Sequence, residues 1–195
     1  MTASPPPSGA ATGCRVIVGL SGGIACYKVA GAVSRLVQNG HEVTVLMTEA
    51  ATRFVAPLTF QALSGRPVYT SAWTHIEAHD PQHIALARDA DVVLIAPCTM
   101  DMLARLATGL TDDVVSLVVS AVDRSRCPVL LAPSMNAAMY GQASTQRNLR
   151  QLAEDGFSII DPETGWQACR TEGPGRLPEP ETLVEAVNAA VRSGA

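Results

Sequence analysis

Charge is scarce in this sequence: Asp, Glu, Lys and Arg supply 16% of its 195 residues, against 47% hydrophobic ones. A composition so apolar excludes a disordered chain and suits a sheet covered on both faces, or further surface buried in an oligomer. Basic residues are outnumbered as well, 14 Lys and Arg against 18 Asp and Glu, for a formal net charge of -4. That balance excludes a chain-wide attraction to nucleic acid or acidic membrane and leaves a phosphorylated small molecule open as a ligand. No apolar run approaches the ~20 residues of a membrane-spanning helix. Residues 1–13 also lack the basic start and apolar centre of a secretory signal, so the expected location is the cytoplasm. The five cysteines, Cys14, Cys26, Cys98, Cys127 and Cys169, are odd in number and form no short-spaced pair. Neither a disulfide framework nor a metal site is expected. Repeats and dividing linkers are missing too. The expected organisation is a flexible tail over 1–13, rich in Pro, Ser, Gly and Ala, and one domain over 14–195.

What is present is an alternation. Short apolar runs over 15–20, 43–47, 91–96, 129–132 and 157–160 have the nearly unbroken character of parallel strands buried on both sides. Helical patterns lie between and after them: 24–39, with Ile24, Val29, Val33, Leu36 and Val37 on one face and Gly40 as stop, then 100–107, 112–122, 145–154 and 181–191 after Pro180. Strand–helix alternation predicts an α/β fold, a doubly wound, flavodoxin-like or Rossmann-like three-layer sandwich around a parallel sheet. Ligands then bind beyond the carboxyl ends of the strands at the switch point.

Four segments sit where such a ligand would lie. Ser21, Gly22 and Gly23 lead from the first strand into a helix, and small residues there let backbone amides and the positive helix end approach an anion, a dipole contribution of about 0.3–2 kcal/mol. The loop lacks the three spaced glycines of a dinucleotide fingerprint and the Gly-Lys-Ser/Thr of a Walker loop; a tight turn without ligand fits it equally. In the second segment, 96–102, Pro97 is expected to stop the third strand, Thr99 to cap the next helix, and Asp101 to accept from a heterocycle N–H; an ordinary N-cap is the alternative. The third places Asn136, a donor and acceptor, after the fourth strand, where a plain turn asparagine would also sit. The fourth, 168–176, is polar and glycine-rich around Cys169 and suits a mobile lid with a partly exposed thiol; an incidental surface cysteine has the same surroundings.

Taken in order, these motifs resemble the homo-oligomeric flavin-containing cysteine decarboxylases. The resemblance runs from about Arg15 to Leu177 and is carried by Ser21-Gly22-Gly23-Ile24-Ala25, His83-Ile84-Ala85-Leu86, Ala96-Pro97-Cys98-Thr99, Thr111-Asp112-Asp113, Pro133-Ser134-Met135-Asn136, and Ala168-Cys169 with Gly173-Pro174-Gly175. It implies FMN in a groove completed by a neighbouring subunit of a homotrimer, sometimes four trimers joined as a homododecamer. It also implies decarboxylation of a phosphorylated cysteine conjugate, phosphopantothenoylcysteine, in coenzyme A synthesis through thioaldehyde and ene-thiolate intermediates. By position, Ser21, Gly22, Gly23, Thr48, Thr99, Met100, Asp101, Met102 and Ser134 would form the flavin shell. His83 takes the place of the active-site histidine, Asn136 that of the asparagine on the substrate carboxylate, and Cys169 that of the cysteine of the reducing step; Trp166, Ala168 and Leu177 fall on the substrate clamp. His75 and His79 are weighed against His83, which the resemblance prefers because His-Ile-x-Leu falls there.

Two positions depart from the pattern. Asp101 stands where the family has a neutral Asn, and Arg170 where glycine is common. A carboxylate at 101 would disfavour a reduced anionic flavin, and an arginine at 170 reaches unusual dihedrals less freely. The resemblance further implies a synthetase on a separate chain. A peptidyl-cysteine decarboxylase would not need Cys169; a flavin prenyltransferase would use a different catalytic set; a non-catalytic flavin-binding regulatory subunit would interact through acidic tails or inserts that are not present here.

Overall fold

The computed structural model describes residues 13–73 and 81–194. The tail expected over 1–13 lies outside them except for Gly13, as do His75 and His79. In chain order the elements are β1 (Arg15–Leu20), α1 (Cys26–Gln38), β2 (Glu42–Met47), α2 (Glu49–Thr52), α3 (Pro57–Ser64), β3 (Val68–Tyr69), α4 (Gln82–Asp89), β4 (Val92–Cys98), α5 (Met100–Thr108) and α6 (Val114–Ala121). There follow β5 (Val129–Pro133), α7 (Ala137–Tyr140), α8 (Ala143–Glu154), β6 (Ser158–Ile159), β7 (Glu163–Trp166), β8 (Glu172–Arg176) and α9 (Pro180–Gly194).

Six strands form one parallel sheet in the order β3-β2-β1-β4-β5-β6, which reverses between β1 and β4. This is the doubly wound α/β fold expected from the alternation, with its crevice at that switch point. Period-two alternation sends successive strand residues to opposite layers. Val16, Val18 and Leu20 of β1, with Val43, Val45 and Met47 of β2, pack with Val29, Val33 and Leu36 of α1 and with Leu183 and Val187 of α9. Ile17, Val93, Ile95 and Leu131 face the other way, onto Leu103 of α5, Val115 and Val118 of α6 and Leu152 of α8. Among the described residues no helix is long and apolar enough to cross a membrane, and no cluster of residues could hold a metal ion.

Several boundaries differ from the sequence expectation. The third expected strand, β4, does not stop at Pro97: it continues to Cys98 through a cis Ala96–Pro97 bond, with a register shift against β5 between Ile95 and Cys98. A proline lacks a donor but keeps its carbonyl, and Pro97 O receives the Ser21 N–H at 3.2 Å. The first helix begins at Cys26, and Ile24 is 59% exposed rather than part of the core stripe. His83 lies in the first turn of α4, a helix outside the patterns named from the sequence. The segment expected as a lid, 168–176, contains the turn and second strand of an antiparallel hairpin whose first strand, β7, precedes it. Arg170 occupies a left-handed conformation in its turn, φ 65°, the demand that favours glycine there.

Candidate active site

Three βα connections, from β1, β4 and β5, emerge side by side at the carboxyl edge of the sheet, and the β7–β8 hairpin folds across them. Together they enclose a cavity of about 650 Å³, within the range of small-molecule and cofactor sites. Gly22, Gly23, Ile24 and Ala25 come from the first connection, Thr99, Met100 and Asp101 from the second, and Ser134, Met135 and Asn136 from the third. Trp166, Gln167, Ala168, Cys169, Gly175, Arg176 and Leu177 close it from the hairpin side.

The first connection is held by Ser21. Its hydroxyl lies 2.7 Å from Pro97 O and 3.0 Å from Thr99 Oγ1, and it accepts from the Thr99 N–H at 2.9 Å. Ser21 is buried and outside the cavity lining, and it staples two loops together. The turn beyond it needs small residues: a Cβ on Gly22 would lie 2.4 Å from the Ala50 Cβ and 3.0 Å from the Ala50 carbonyl carbon. None of the N–H groups of Gly22, Gly23, Ile24 and Ala25 finds a backbone acceptor among the described residues. Four unused donors ahead of α1 form a cradle for an anionic group.

In the second connection Thr99 caps α5, its hydroxyl accepting from the Met102 N–H at 3.4 Å. Met102 itself is fully buried in the core and does not line the cavity. Asp101 does, but its charge is not left unmatched: Arg105 Nε donates to Asp101 Oδ2 at 2.8 Å, and the same guanidinium binds Asp112. The hydrogen bond to Asp101, more than the neighbouring Asp112 and Asp113 charges, raises the Arg105 pKa. The Thr111-Asp112-Asp113 motif thus shares Arg105 with Asp101 and, through Asp113 Oδ1 accepting from the Val115 and Ser116 N–H groups, caps α6.

Asn136 caps α7, its Oδ1 accepting from the Met139 N–H at 2.8 Å, which leaves the amide NH₂ to donate into the cavity. The Cys169 sulfur lies 3.0 Å from Thr171 Oγ1 and 3.7 Å from Gln167 Oε1, in an exposed position. Burial instead pushes the thiols of Cys26, Cys98 and Cys127 upward, Cys127 to about 11, so these three are packing groups.

The structure therefore brings together Gly22, Gly23, Thr99, Met100, Asp101, Ser134, Asn136, Trp166, Ala168, Cys169 and Leu177. It leaves apart Ser21, Met102, Thr48 and His83. Thr48 is the N-cap of α2, accepting from the Ala51 N–H at 3.2 Å. His83 stands on α4, which packs against α6. Sequence reasoning missed Gln167, a buried amide whose Oε1 accepts from the Ala137 N–H at 3.1 Å and whose Nε2 donates to Pro174 O at 2.8 Å. It ties the hairpin to the residue following Asn136. Lys28 and Arg176 were missed as well; a lysine among the apolar positions of α1 is the signal that could have found the first.

Comparison with known proteins finds relatives over most of the chain. Coenzyme A biosynthesis bifunctional protein CoaBC of Vibrio parahaemolyticus is 45% identical over 172 residues, 88% of this chain and 42% of the relative. CoaBC of Escherichia coli is 44% identical over 173 residues, 89% of this chain and 42% of the relative. The chain thus spans less than half the length of the curated relatives it matches. Among solved structures, the FMN-dependent cysteine decarboxylase SpaF is 31% identical with a TM-score of 0.79, covering 93% of this chain and 97% of that one. A PPC decarboxylase variant complexed with pantothenoylaminoethenethiol is 30% identical with a TM-score of 0.81, covering 91% and 97%. Residues 6–192 match the family described as Flavoprotein, and the chain belongs to that family.

Proposed function

We propose that this chain is an FMN-dependent carboxy-lyase that converts phosphopantothenoylcysteine to phosphopantetheine in coenzyme A synthesis, acting in the cytoplasm. The observation that carries the reading is the convergence of the Gly22–Gly23 amide cradle, the Asn136 amide and the Cys169 thiol on one cavity, in a chain whose relatives are named for this pathway and for PPC decarboxylation. The cradle suits the phosphate of FMN, while Thr99, Met100, Asp101 and Ser134 would line the remainder of its site. When bound, FMN would supply a two-electron acceptor for the thiol-bearing substrate and the matching donor for the reducing step.

The chain's own residues then have separable tasks. Asn136 holds the substrate carboxylate through its NH₂, and orientation of that kind lowers a barrier by limiting the geometries sampled. Carbon dioxide leaves once the thiol-bearing carbon has become a thioaldehyde, which receives the electron pair of the broken bond as an ene-thiolate. Cys169 donates a proton to that ene-thiolate during the reducing step. Trp166, Ala168 and Leu177 cover the substrate from the hairpin side.

His83 receives or positions a proton in the oxidising half, and for this it must serve a cavity other than that of its own chain. The assembly proposed is a homotrimer, alone or gathered into a homododecamer, with FMN at the subunit interface. What supports it is the position of His83 on α4 and the exposure of Ile24, Tyr27, Met139 and Trp166 around the cavity. Incubating the purified flavin-bound protein with phosphopantothenoylcysteine and following products by mass spectrometry tests the reading. A saturated thiol is expected. An ene-thiol would instead indicate a peptidyl-cysteine decarboxylase type of activity, and no product despite bound flavin would indicate a regulatory flavoprotein.

A further inference from the structure

Three charged residues line the cavity among those described: Asp101, which Arg105 matches, and two cations, Lys28 and Arg176. Lys28 is 9% exposed and reaches the cavity from α1. Its ammonium donates to Leu177 O at 3.0 Å and to Glu179 Oε1 at 2.9 Å. Arg176 donates from Nη2 to the same Glu179 oxygen. Glu179 does not line the cavity, and neither does Glu163, whose Oε1 accepts from the Glu179 backbone N–H at 3.3 Å.

A single shared acceptor oxygen thus holds two cations side by side, close enough to serve one anion. Lys28 has spent two of its three N–H donors, and Arg176 keeps most of its five. A lysine so deeply buried is costly unless its charge is matched. Glu179 matches one positive charge from behind, which leaves the other facing the cavity.

We infer that Lys28 and Arg176 form an anion subsite that seats the phosphate of the substrate. The inference rests on the decarboxylase reading above and names the feature by which it selects its substrate. Two phosphates have to be accommodated, one on the cofactor and one on the substrate, and the cavity offers two unlike places for them. The amide cradle of the β1–α1 loop suits the first by its unused donors; the Lys28–Arg176 corner, built from α1 and the end of β8, takes the second. Guanidinium and phosphate match as a fork on two oxygens, and Glu179 has already oriented the donors. A peptide ending in cysteine carries no such group, so the corner favours a phosphorylated conjugate over a peptidyl one.

The test compares phosphopantothenoylcysteine with its dephospho form, pantothenoylcysteine, on wild type, Arg176→Gln and Arg176→Lys. Wild type should prefer the phosphorylated substrate. Arg176→Gln should lose about 10- to 100-fold in kcat/KM for that substrate, carried by KM, while its rate on pantothenoylcysteine stays within about twofold of wild type. Arg176→Lys should restore part of the preference. Equal losses on both substrates, or a wild type indifferent to the phosphate, would overturn the inference while leaving the decarboxylase reading standing. A wild type that decarboxylates neither substrate would instead overturn that reading, and the inference with it. Binding of FMN and riboflavin, followed by quenching of flavin fluorescence, separates the two phosphates. The ratio of the two affinities should be the same in wild type and Arg176→Gln, and a selective loss of FMN affinity in the variant would assign the corner to the cofactor and refute the proposal.

Discussion

Cys169 is exposed, whereas Cys26, Cys98 and Cys127 are buried with thiols pushed up by desolvation, so their reactivities in the native state must diverge. Brief treatment with iodoacetamide followed by peptide mapping should label Cys169 well before those three, and early labelling of Cys98 would contradict its burial. Glu179 gives a pH signature. The Lys28 hydrogen bond first, and then the Lys28 and Arg176 charges, hold its carboxyl below the ordinary value of 4.5. A carboxyl lowered by folding contributes stability that is complete above its unfolded pKa and is lost as the pH falls through the lower folded value. The stability difference between wild type and Glu179→Gln, from urea unfolding midpoints, should therefore be level at neutral pH and shrink below about pH 4. A difference that grows on acidification would reverse the assignment.

At the scale of elements, the β7–β8 hairpin is a two-stranded sheet separate from the main one, tied to the β5–α7 loop by individual hydrogen bonds. Gln167 anchors it to the β5–α7 loop, and Gly175 allows it to approach: at φ 109°, a Cβ there would lie 2.3 Å from Met135 O, the residue whose N–H donates to Gly175 O at 2.9 Å. Gly175→Ala should detach the hairpin and abolish turnover with little change in the far-UV spectrum, since the six-stranded sheet does not depend on it. Gln167→Leu is the milder lesion. It removes the acceptor near Cys169 and leaves Ala137 N–H without its partner, a cost of about 1–3 kcal/mol spread over the loop pair. Its expected mark is a raised ratio of ene-thiol to saturated product by mass spectrometry, a ratio independent of how much protein is folded. Unchanged partition would mean that Gln167 does not position the thiol.

At the scale of the whole molecule, His83 on α4 lies apart from the cavity lining of its own chain, and the proposed assembly would bring it to a neighbour's. If His83 serves a neighbour, His83→Asn and Asn136→Ala chains, each inactive alone, will complement one another when co-refolded. In an equimolar random mixture about a quarter of the sites would combine an intact His83 with an intact Asn136. Recovered activity near that fraction is expected. If His83 worked within its own chain, every site would retain one lesion and no activity would return.

Five of the six strands of the parallel sheet were legible from local composition because a doubly covered parallel strand must be apolar throughout, and the run over 15–20 predicts β1 residue for residue, whereas the two-residue edge strand β3 and the β7–β8 hairpin were not. The Gly22–Gly23 turn and the Thr99 cap could be read for a similar reason, since backbone sterics and orphan donors act over three or four residues, whereas the capping of α7 by Asn136 was not foreseen. What needed the tertiary structure is everything that joins distant segments. Residues 28 and 176 become one cationic corner only because α1 and β8 meet at Glu179, and Gln167 becomes an anchor only because its amide finds Ala137 and Pro174. Hydrogen bonds and ion pairs across such distances in sequence leave no periodic trace, because a side chain's partner is chosen by the packing of the layers and not by its neighbours in the chain.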